Sequence, residues 1–412
     1  MKVLMINSVC GTGSTGRICT DIAKLLAAAG HECKIVYGRG TAKGDFPNSV
    51  RVGTDFSVKI NALCSRLLDN EGFNARASTK ELVKIIKEYD PDLIHLHNLH
   101  GYFLNIPILF SYLKNEFRGK VLWNLYDCWS FTGHCAHFDF VKCEQWETGC
   151  LRCEYKHRYP KSIGFSNAKK NYIEKKKYIS GIDNLSIVVP SKWLDKVVSR
   201  SFLKEYTRRI MPNGINLDNF YPVDGVSKSK WGIDENKFMV LGVSNFWTET
   251  KGVEYFIKLA QDISQDQCQI VLVGNIHETK LPSNILHVPA TNDIKELCEL
   301  YTAADVFVNP TLQETQGLTT VEAFACGTPA IVFNSGGAAE CVDNTCGIIV
   351  EKNNYEKLRD NILRMKNGEV KFDPQNCINV AQKYDAKKLY HEFIKLYEKL
   401  MGGAFDGNVA TM

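Results

Sequence analysis

An α/β chain with two parallel-sheet units in tandem is the fold class this sequence predicts. Three observations point to it. Strand-like and helix-like segments alternate almost throughout; the alternation runs twice, with an irregular stretch between; and 412 residues exceed what one compact core of ordinary size holds. In the first run, Lys2–Val9 reads as a buried strand, Arg17–Ala29 repeats apolar residues at helical spacing and stops at Gly30, and Glu32–Tyr37 reads as a second strand. Strand, helix, strand implies parallel pairing. The pattern continues through helix Thr79–Glu88, strands Asp92–His97, Lys120–Tyr126 and Leu185–Pro190, and helix Lys192–Phe202. The second run has strands Phe238–Ser244, Gln269–Gly274, Asp305–Asn309, Ala330–Phe333 and Gly347–Val350. Helices Val253–Ile263, Ile294–Ala304, Leu318–Cys326 and Tyr355–Met365 lie between them. The join falls in Pro212–Gly225, where Asn213-Gly214 and Pro222 punctuate the chain. The last helix, Lys387–Met401, has no evident place in the second sheet.

Composition narrows the class. Hydrophobic residues make up 44% and charged residues 23%, which excludes disordered, collagen-like and coiled-coil chains. No apolar run approaches the ~18–20 residues of a membrane-spanning helix. The amino terminus has a short apolar stretch leading into a glycine loop, so it reads as a first strand rather than a signal peptide. A cytoplasmic location follows as the expectation, with most of the 15 cysteines reduced. Net charge is +4, yet residues 154–209 hold fourteen Lys and Arg against five Asp and Glu, an excess of nine. That segment is either a solvated basic face or one turned toward anionic lipid headgroups or phosphate-bearing acceptors. No nucleic-acid partner is expected.

Gly11-Thr-Gly-Ser-Thr-Gly16 follows a strand and opens a helix, a context in which a backbone approaches phosphate. A nicotinamide site also wants an acidic residue at the end of the second strand, and Tyr37-Gly-Arg-Gly stands there, which argues against a dehydrogenase. In the second half, Glu314 lies on the loop after a strand and Glu322 about 1.5 turns into the helix opened by Gly317. Both line the carboxyl edge of the sheet, where open α/β folds bind ligands. A carboxylate there accepts vicinal hydroxyls, and the amides of Gly317, Leu318 and Thr319 suit phosphate or sugar oxygens.

With these residues in place, the sequence resembles the family-4 glycosyltransferases, retaining enzymes of the GT-B architecture, in which two Rossmann-like domains face an interdomain cleft. Glu314 and Glu322 match the family's glutamate pair, Asn213-Gly-Ile-Asn216 with Phe220 its Asn-Gly segment, Lys251-Gly252 its diphosphate-binding lysine, and Gly13-Ser14-Thr-Gly16-Arg17 its first-domain glycine loop. The resemblance implies that Glu322 holds the donor ribose, Glu314 contacts the transferred sugar and Lys251 neutralises the leaving diphosphate, with no catalytic metal. An arginine often found near the lysine is missing, and Asn245 with the helix amides is one substitute. The implied domains are 1–217 on the acceptor side, 218–384 for the nucleotide-sugar, and a segment 385–412 crossing back to the first.

Tyr126-Asp-Cys-Trp-Ser-Phe-Thr-Gly-His-Cys135 resembles a stretch of a subgroup from bacterial surface-polysaccharide pathways, where the strand usually ends in histidine. Here Tyr126, His134 or His97 is left to fill that role. Asp127 and His134 are the first-domain catalytic candidates. Cys135, Cys143, Cys150 and Cys153 fall within nineteen residues of an insertion at about 128–160, a set able to hold one structural zinc; free thiols and a disulfide are the alternatives. Trp129, Phe131, Phe138 and Trp146 suit either sugar stacking or core packing. The expected function is transfer of a sugar from a nucleotide-sugar donor to a carbohydrate or lipid-linked acceptor. A nucleotide-sugar epimerase and a non-catalytic zinc-bearing module are the alternatives.

Overall fold

A computed structural model describes residues 1–403 apart from 45, 47, 267, 277–279 and 292. The chain divides into two compact units, Met1–Met211 with the chain from Tyr390 onward, and Pro212–Leu389.

The first unit holds strands β1 (Lys2–Asn7), β2 (Glu32–Tyr37), β3 (Ser49–Arg51), β4 (Leu93–Leu96), β5 (Lys120–Asn124), β6 (Leu185–Val189) and β7 (Arg208–Ile210). Its helices are α1 (Gly13–Ala28), α2 (Asp55–Leu68), α3 (Arg76–Tyr89), α4 (Ile106–Asn115), α5 (Gln145–Thr148), α6 (Ala168–Ile179) and α7 (Lys192–Val198). The sheet order is β3-β2-β1-β4-β5-β6-β7, with every pairing parallel. Helices cover both faces, so β4, β5 and β6 are buried almost throughout, which is why they read as continuous apolar runs.

The second unit repeats the plan with β8 (Phe238–Trp247), β9 (Cys268–Ile276), β10 (Ile285–Val288), β11 (Val306–Asn309), β12 (Ala330–Asn334) and β13 (Gly347–Glu351) in the order β10-β9-β8-β11-β12-β13, all parallel. Its helices are α8 (Val253–Asp262), α9 (Ile294–Ala303), α10 (Leu318–Ala325), α11 (Tyr355–Lys366) and α12 (Pro374–Ala381). In each sheet the order reverses beside the first strand of the unit, at β1/β4 and at β8/β11. Connections leave these neighbours in opposite directions and open a crevice at their carboxyl ends.

The sequence expectation left out β3, β7 and β10 and helices α2, α4, α5, α6 and α12, and several elements it named have other bounds. Helix α1 starts at Gly13, four residues early, so the glycine loop supplies its first turn. Strand β8 runs past Ser244 to Trp247 across a register shift between Val243 and Phe246. Helix α7 ends at Val198 and not at Phe202. The last helix, α13, spans Ala386–Met401. From Tyr390 onward it packs on the first unit through Phe393 and Tyr397, and the Tyr397 hydroxyl lies 2.6 Å from His95 Nδ1. Residues 404–412 of the expected final segment lie outside the described residues.

Candidate functional site

At the β8/β11 crevice, two loops meet backbone to backbone. The loop after β8 makes a 3-10 turn at Glu249–Lys251 and enters α8 through Gly252 at φ 77°. A Cβ at Gly252 would lie 2.3 Å from the Pro310 carbonyl oxygen, so only glycine admits both this φ and this approach. The Thr250 carbonyl accepts from the Leu312 amide at 2.8 Å and from Thr311 Oγ1 at 3.2 Å. These contacts bring Lys251 Nζ onto Glu314 Oε2, with the side chains 35% and 24% exposed. The loop after β12 closes the back of the site: the Gly337 amide donates to the Glu314 carbonyl at 2.8 Å, and a Cβ at Gly336 would sit 2.0 Å from the same oxygen. Glu314 is therefore held by loops from three neighbouring strands.

Glu322 stands in α10 and accepts a 3.0 Å hydrogen bond from the Tyr301 hydroxyl of α9. Burial, then the charge of Glu322, holds that phenol well above its ordinary pKa, so it stays a donor. Gln316 clamps the Asn213 segment with three hydrogen bonds of 2.9 Å, two accepted by its Oε1 and one donated by its Nε2. Of the three amides expected to meet phosphate, that of Leu318 closes on the Gln316 carbonyl at 3.1 Å. Gly317 caps α10 without a side-chain cap, and Thr319 is half-buried in its first turn. Asn245 is exposed on the irregular part of β8, its carbonyl accepting from Asn275 Nδ2 at 3.0 Å.

In the first unit, Asn7 Oδ1 accepts from the Asn98 amide at 3.0 Å, stitching the ends of β1 and β4. Gly13, at φ 63°, Ser14 and Arg17 are exposed at the start of α1, which carries no side-chain cap and no acidic residue in its first turn. Gly16 is buried instead, and a Cβ there would meet Val9 Cγ2 at 3.1 Å, so it serves helix packing.

After β5, Asp127 Oδ1 accepts from the Trp129 amide at 2.9 Å while Oδ2 lies 2.7 Å from His100 Nε2. His100 Nδ1 in turn lies 2.9 Å from the Tyr159 hydroxyl. Burial alone would push the His100 pKa down, but the charge and hydrogen bond of Asp127, with the charge of Glu71, outweigh it and raise the value. Burial likewise works against the Asp127 carboxylate, and His100 reverses that, so its pKa falls. The two form a shielded hydrogen-bonded pair in which each favours the other's charged form.

Sequence reasoning set His95, His97 and His100 together as core histidines near the end of β4 and did not name His100 as a site candidate; the other histidines are spent elsewhere. His97 Nδ1 is 2.8 Å from the Tyr126 hydroxyl, and burial keeps His95 and His97 neutral, His95 pulled down to about 3. His134, expected at the sugar, is 3% exposed with Nδ1 on Asp69, which fastens the floor of the insertion. Asp69 Oδ2 also accepts from the Asn167 amide at 2.8 Å.

The decisive observation is that the segment carrying β8, Lys251, Glu314 and Glu322 coincides with a known family. Residues 237–367 match Glycosyl transferases group 1. The match runs from β8 to α11 of the second unit, about a third of the chain. Over 171 residues, 39% of this chain, the protein is 27% identical to the putative colanic acid biosynthesis glycosyl transferase WcaC of Escherichia coli, and the match spans 41% of that relative. Sucrose-phosphate synthase from Thermosynechococcus elongatus superposes with a TM-score of 0.73 over 98% of this chain and all of that one, at 18% identity. Anabaena HepE in complex with UDP-glucose superposes with a TM-score of 0.65 over 97% of this chain and all of that one, at 15% identity. The architecture is GT-B.

Outside the matched segment, Cys135, Cys143, Cys150 and Cys153 line one cavity with His134. Cys135 and Cys153 are hydrogen-bonded to each other, which raises the Cys135 pKa and lowers that of Cys153 to about 7. Cys150 Sγ accepts from the Gly133 amide at 3.2 Å. Among the described residues no three His, Cys, Asp or Glu side chains are arranged to ligate one metal ion. Trp129, Phe131, Phe138 and Trp146 are buried in the first unit's core, so packing is their role.

Proposed function

We propose that the protein is a retaining glycosyltransferase that moves a sugar from a nucleotide-sugar to a carbohydrate or lipid-linked acceptor. The observation that carries this reading is the Lys251–Glu314 pair at the β8/β11 crevice inside the matched segment. Departure of a nucleoside diphosphate develops negative charge, and a positioned ammonium meets it without a divalent ion. In this reading Lys251 exchanges Glu314 for the diphosphate, freeing the carboxylate for hydroxyls of the sugar. Glu322, oriented by Tyr301, takes the ribose. Gly13, Ser14 and Arg17 at the uncapped start of α1 offer a second set of phosphate contacts. Asp127 and His100 serve the acceptor: the raised His100 pKa makes the imidazolium a donor, and Asp127 orients it. With no dedicated nucleophile assigned, retention proceeds on one face of the sugar, the departing phosphate drawing the proton from the acceptor hydroxyl.

The WcaC relative supports surface-polysaccharide synthesis as the setting, and the HepE complex makes UDP-sugars the first donors to test. A panel of nucleotide-sugars, with and without mixed acceptors, is expected to release nucleoside diphosphate only when an acceptor is present. NMR of the product should show a retained anomeric configuration. Acceptor-independent conversion, an inverted product, or neither turnover nor thermal stabilisation by nucleoside diphosphates overturns the reading; ligand at about 100 times Kd should add ~2.7 kcal/mol.

The cysteine cavity is proposed to hold a structural zinc. The support is that four sulfurs share one cavity in a segment whose own helix, α5, has four residues. Cys135, Cys143, Cys150 and Cys153 would hold the ion, and four thiolates would leave it no open position. Protein purified without chelator is expected to contain about one equivalent of zinc, and less than roughly half an equivalent counts against the site.

A further inference from the structure

Helix α2 turns its apolar side outward. Phe56, Ile60, Leu63 and Leu67 recur at the spacing of one helical stripe and are 73, 44, 57 and 47% exposed. Lys59 and Arg66, both exposed, follow the same spacing along one edge of that stripe. A second apolar element joins it at the carboxyl end of the helix. The Ile163 amide donates to the Arg66 carbonyl at 2.8 Å, Ser162 Oγ to the same oxygen at 3.0 Å, and Asn167 Nδ2 to the Leu68 carbonyl at 2.5 Å. These bonds fix a loop whose Ile163 and Phe165 are 66 and 90% exposed. A Cβ at Gly164 would lie 1.7 Å from the Leu67 carbonyl oxygen, so the loop lies directly against the helix. The same segment carries the exposed Lys161, Lys169 and Lys170 and opens the basic stretch 154–209.

We infer that α2 and the 163–165 loop form a docking surface for an anionic bilayer. Large apolar side chains that leave water, with lysine and arginine along their edge, are the recognition chemistry of the headgroup and acyl boundary of such a membrane. A partner protein reading the same stripe has no need of the cationic border; a lipid surface uses both. Docking here also has a consequence that rests on the function proposed above. The loop continues from Tyr159, whose hydroxyl binds His100, so the bound face adjoins the His100–Asp127 pair and a lipid-linked acceptor reaches it from the bilayer.

The test is sedimentation of the full chain with phosphatidylcholine vesicles, with and without about 30% phosphatidylglycerol. Binding at least tenfold stronger to the anionic vesicles is expected, weakening as salt rises. Phe56→Ser with Leu63→Ser, and separately Lys59→Glu with Arg66→Glu, should each reduce it at least tenfold while melting temperature and nucleoside diphosphate binding stay unchanged. Phe165→Ser gives a second readout if the double apolar variant fails to fold. Equal binding to neutral and anionic vesicles, or variants that bind like the parent, overturns the proposal. So does a dimer in light scattering that dissociates on Phe56→Ser without any vesicle binding. Nucleoside diphosphate release with water-soluble acceptors is read in parallel: its failure bears on the glycosyltransferase, the vesicles on this face.

Discussion

Lys251→Ala is expected to cut nucleotide-sugar turnover at least tenfold, which is about 1.4 kcal/mol or more of barrier. The charge it meets grows as the diphosphate leaves, so the loss should fall mainly on kcat; a rise in KM alone would mean that Lys251 only holds the donor. Glu314→Gln keeps the shape of the pair and removes the charge, and a loss of similar size is expected because the amide anchors neither the ammonium nor the sugar hydroxyls as strongly. Steady-state release of nucleoside diphosphate measures both. Unchanged kcat in the two variants would remove the pair from the chemistry.

A large loss of stability is expected from Lys175→Ala in the first unit. Lys175 is 1% exposed on α6; its Nζ donates to the carbonyls of Trp129 at 2.6 Å and Thr132 at 3.1 Å, and lies 3.7 Å from the Trp129 ring centroid. It is the internal tie between α6 and the turn after Asp127. Truncation strands two buried carbonyls and opens a cavity, a cost of about 3 kcal/mol, or a melting temperature lower by roughly 6–12 °C for a unit of this size. Burial pulls the Lys175 pKa down to about 7 from its ordinary 10.5, against the opposing pull of Glu71. Between these values the unfolded chain holds the extra proton, so the contribution of Lys175 to stability rises with pH across the window and is least favourable below about 7. Lys175→Met lacks this titration. The difference in melting temperature between parent and Lys175→Met should therefore shift in favour of the parent as pH rises above 7. A difference that is flat with pH would show that the lysine stays protonated in the folded state.

The inner strands of both sheets were legible because strands buried on two faces are largely apolar runs, as in Ile270-Val-Leu-Val, and need no long-range information to be seen, while the short edge strands β3, β7 and β10 carry no such run. The places of Glu314 on a loop after a strand and of Glu322 within the next helix were legible from the order of elements, whereas Lys251 was singled out only by the resemblance to the family-4 enzymes. His100 was not, since β4 ends at Leu96 and nothing local tells that the chain turns back to Asp127. The burial of His134 depends on Asp69, sixty-five positions upstream. Helix α2 shows a further limit: periodicity reveals that Phe56, Ile60 and Leu63 share a side, but not whether that side meets a core or solvent.

Residues made last complete what is made first. Nδ1 of His95, in the fourth strand, meets the Tyr397 hydroxyl only once the last helix is made, and Phe393 covers the same ring. On a ribosome, the stretch 212–389 must be synthesised between the end of the first sheet and this covering, a wait of roughly 10–35 s. Throughout that interval the nascent sheet presents a bare aromatic and imidazole surface, which makes it a natural resting place for a holding chaperone, and a premature stop before Tyr390 leaves the patch open for good.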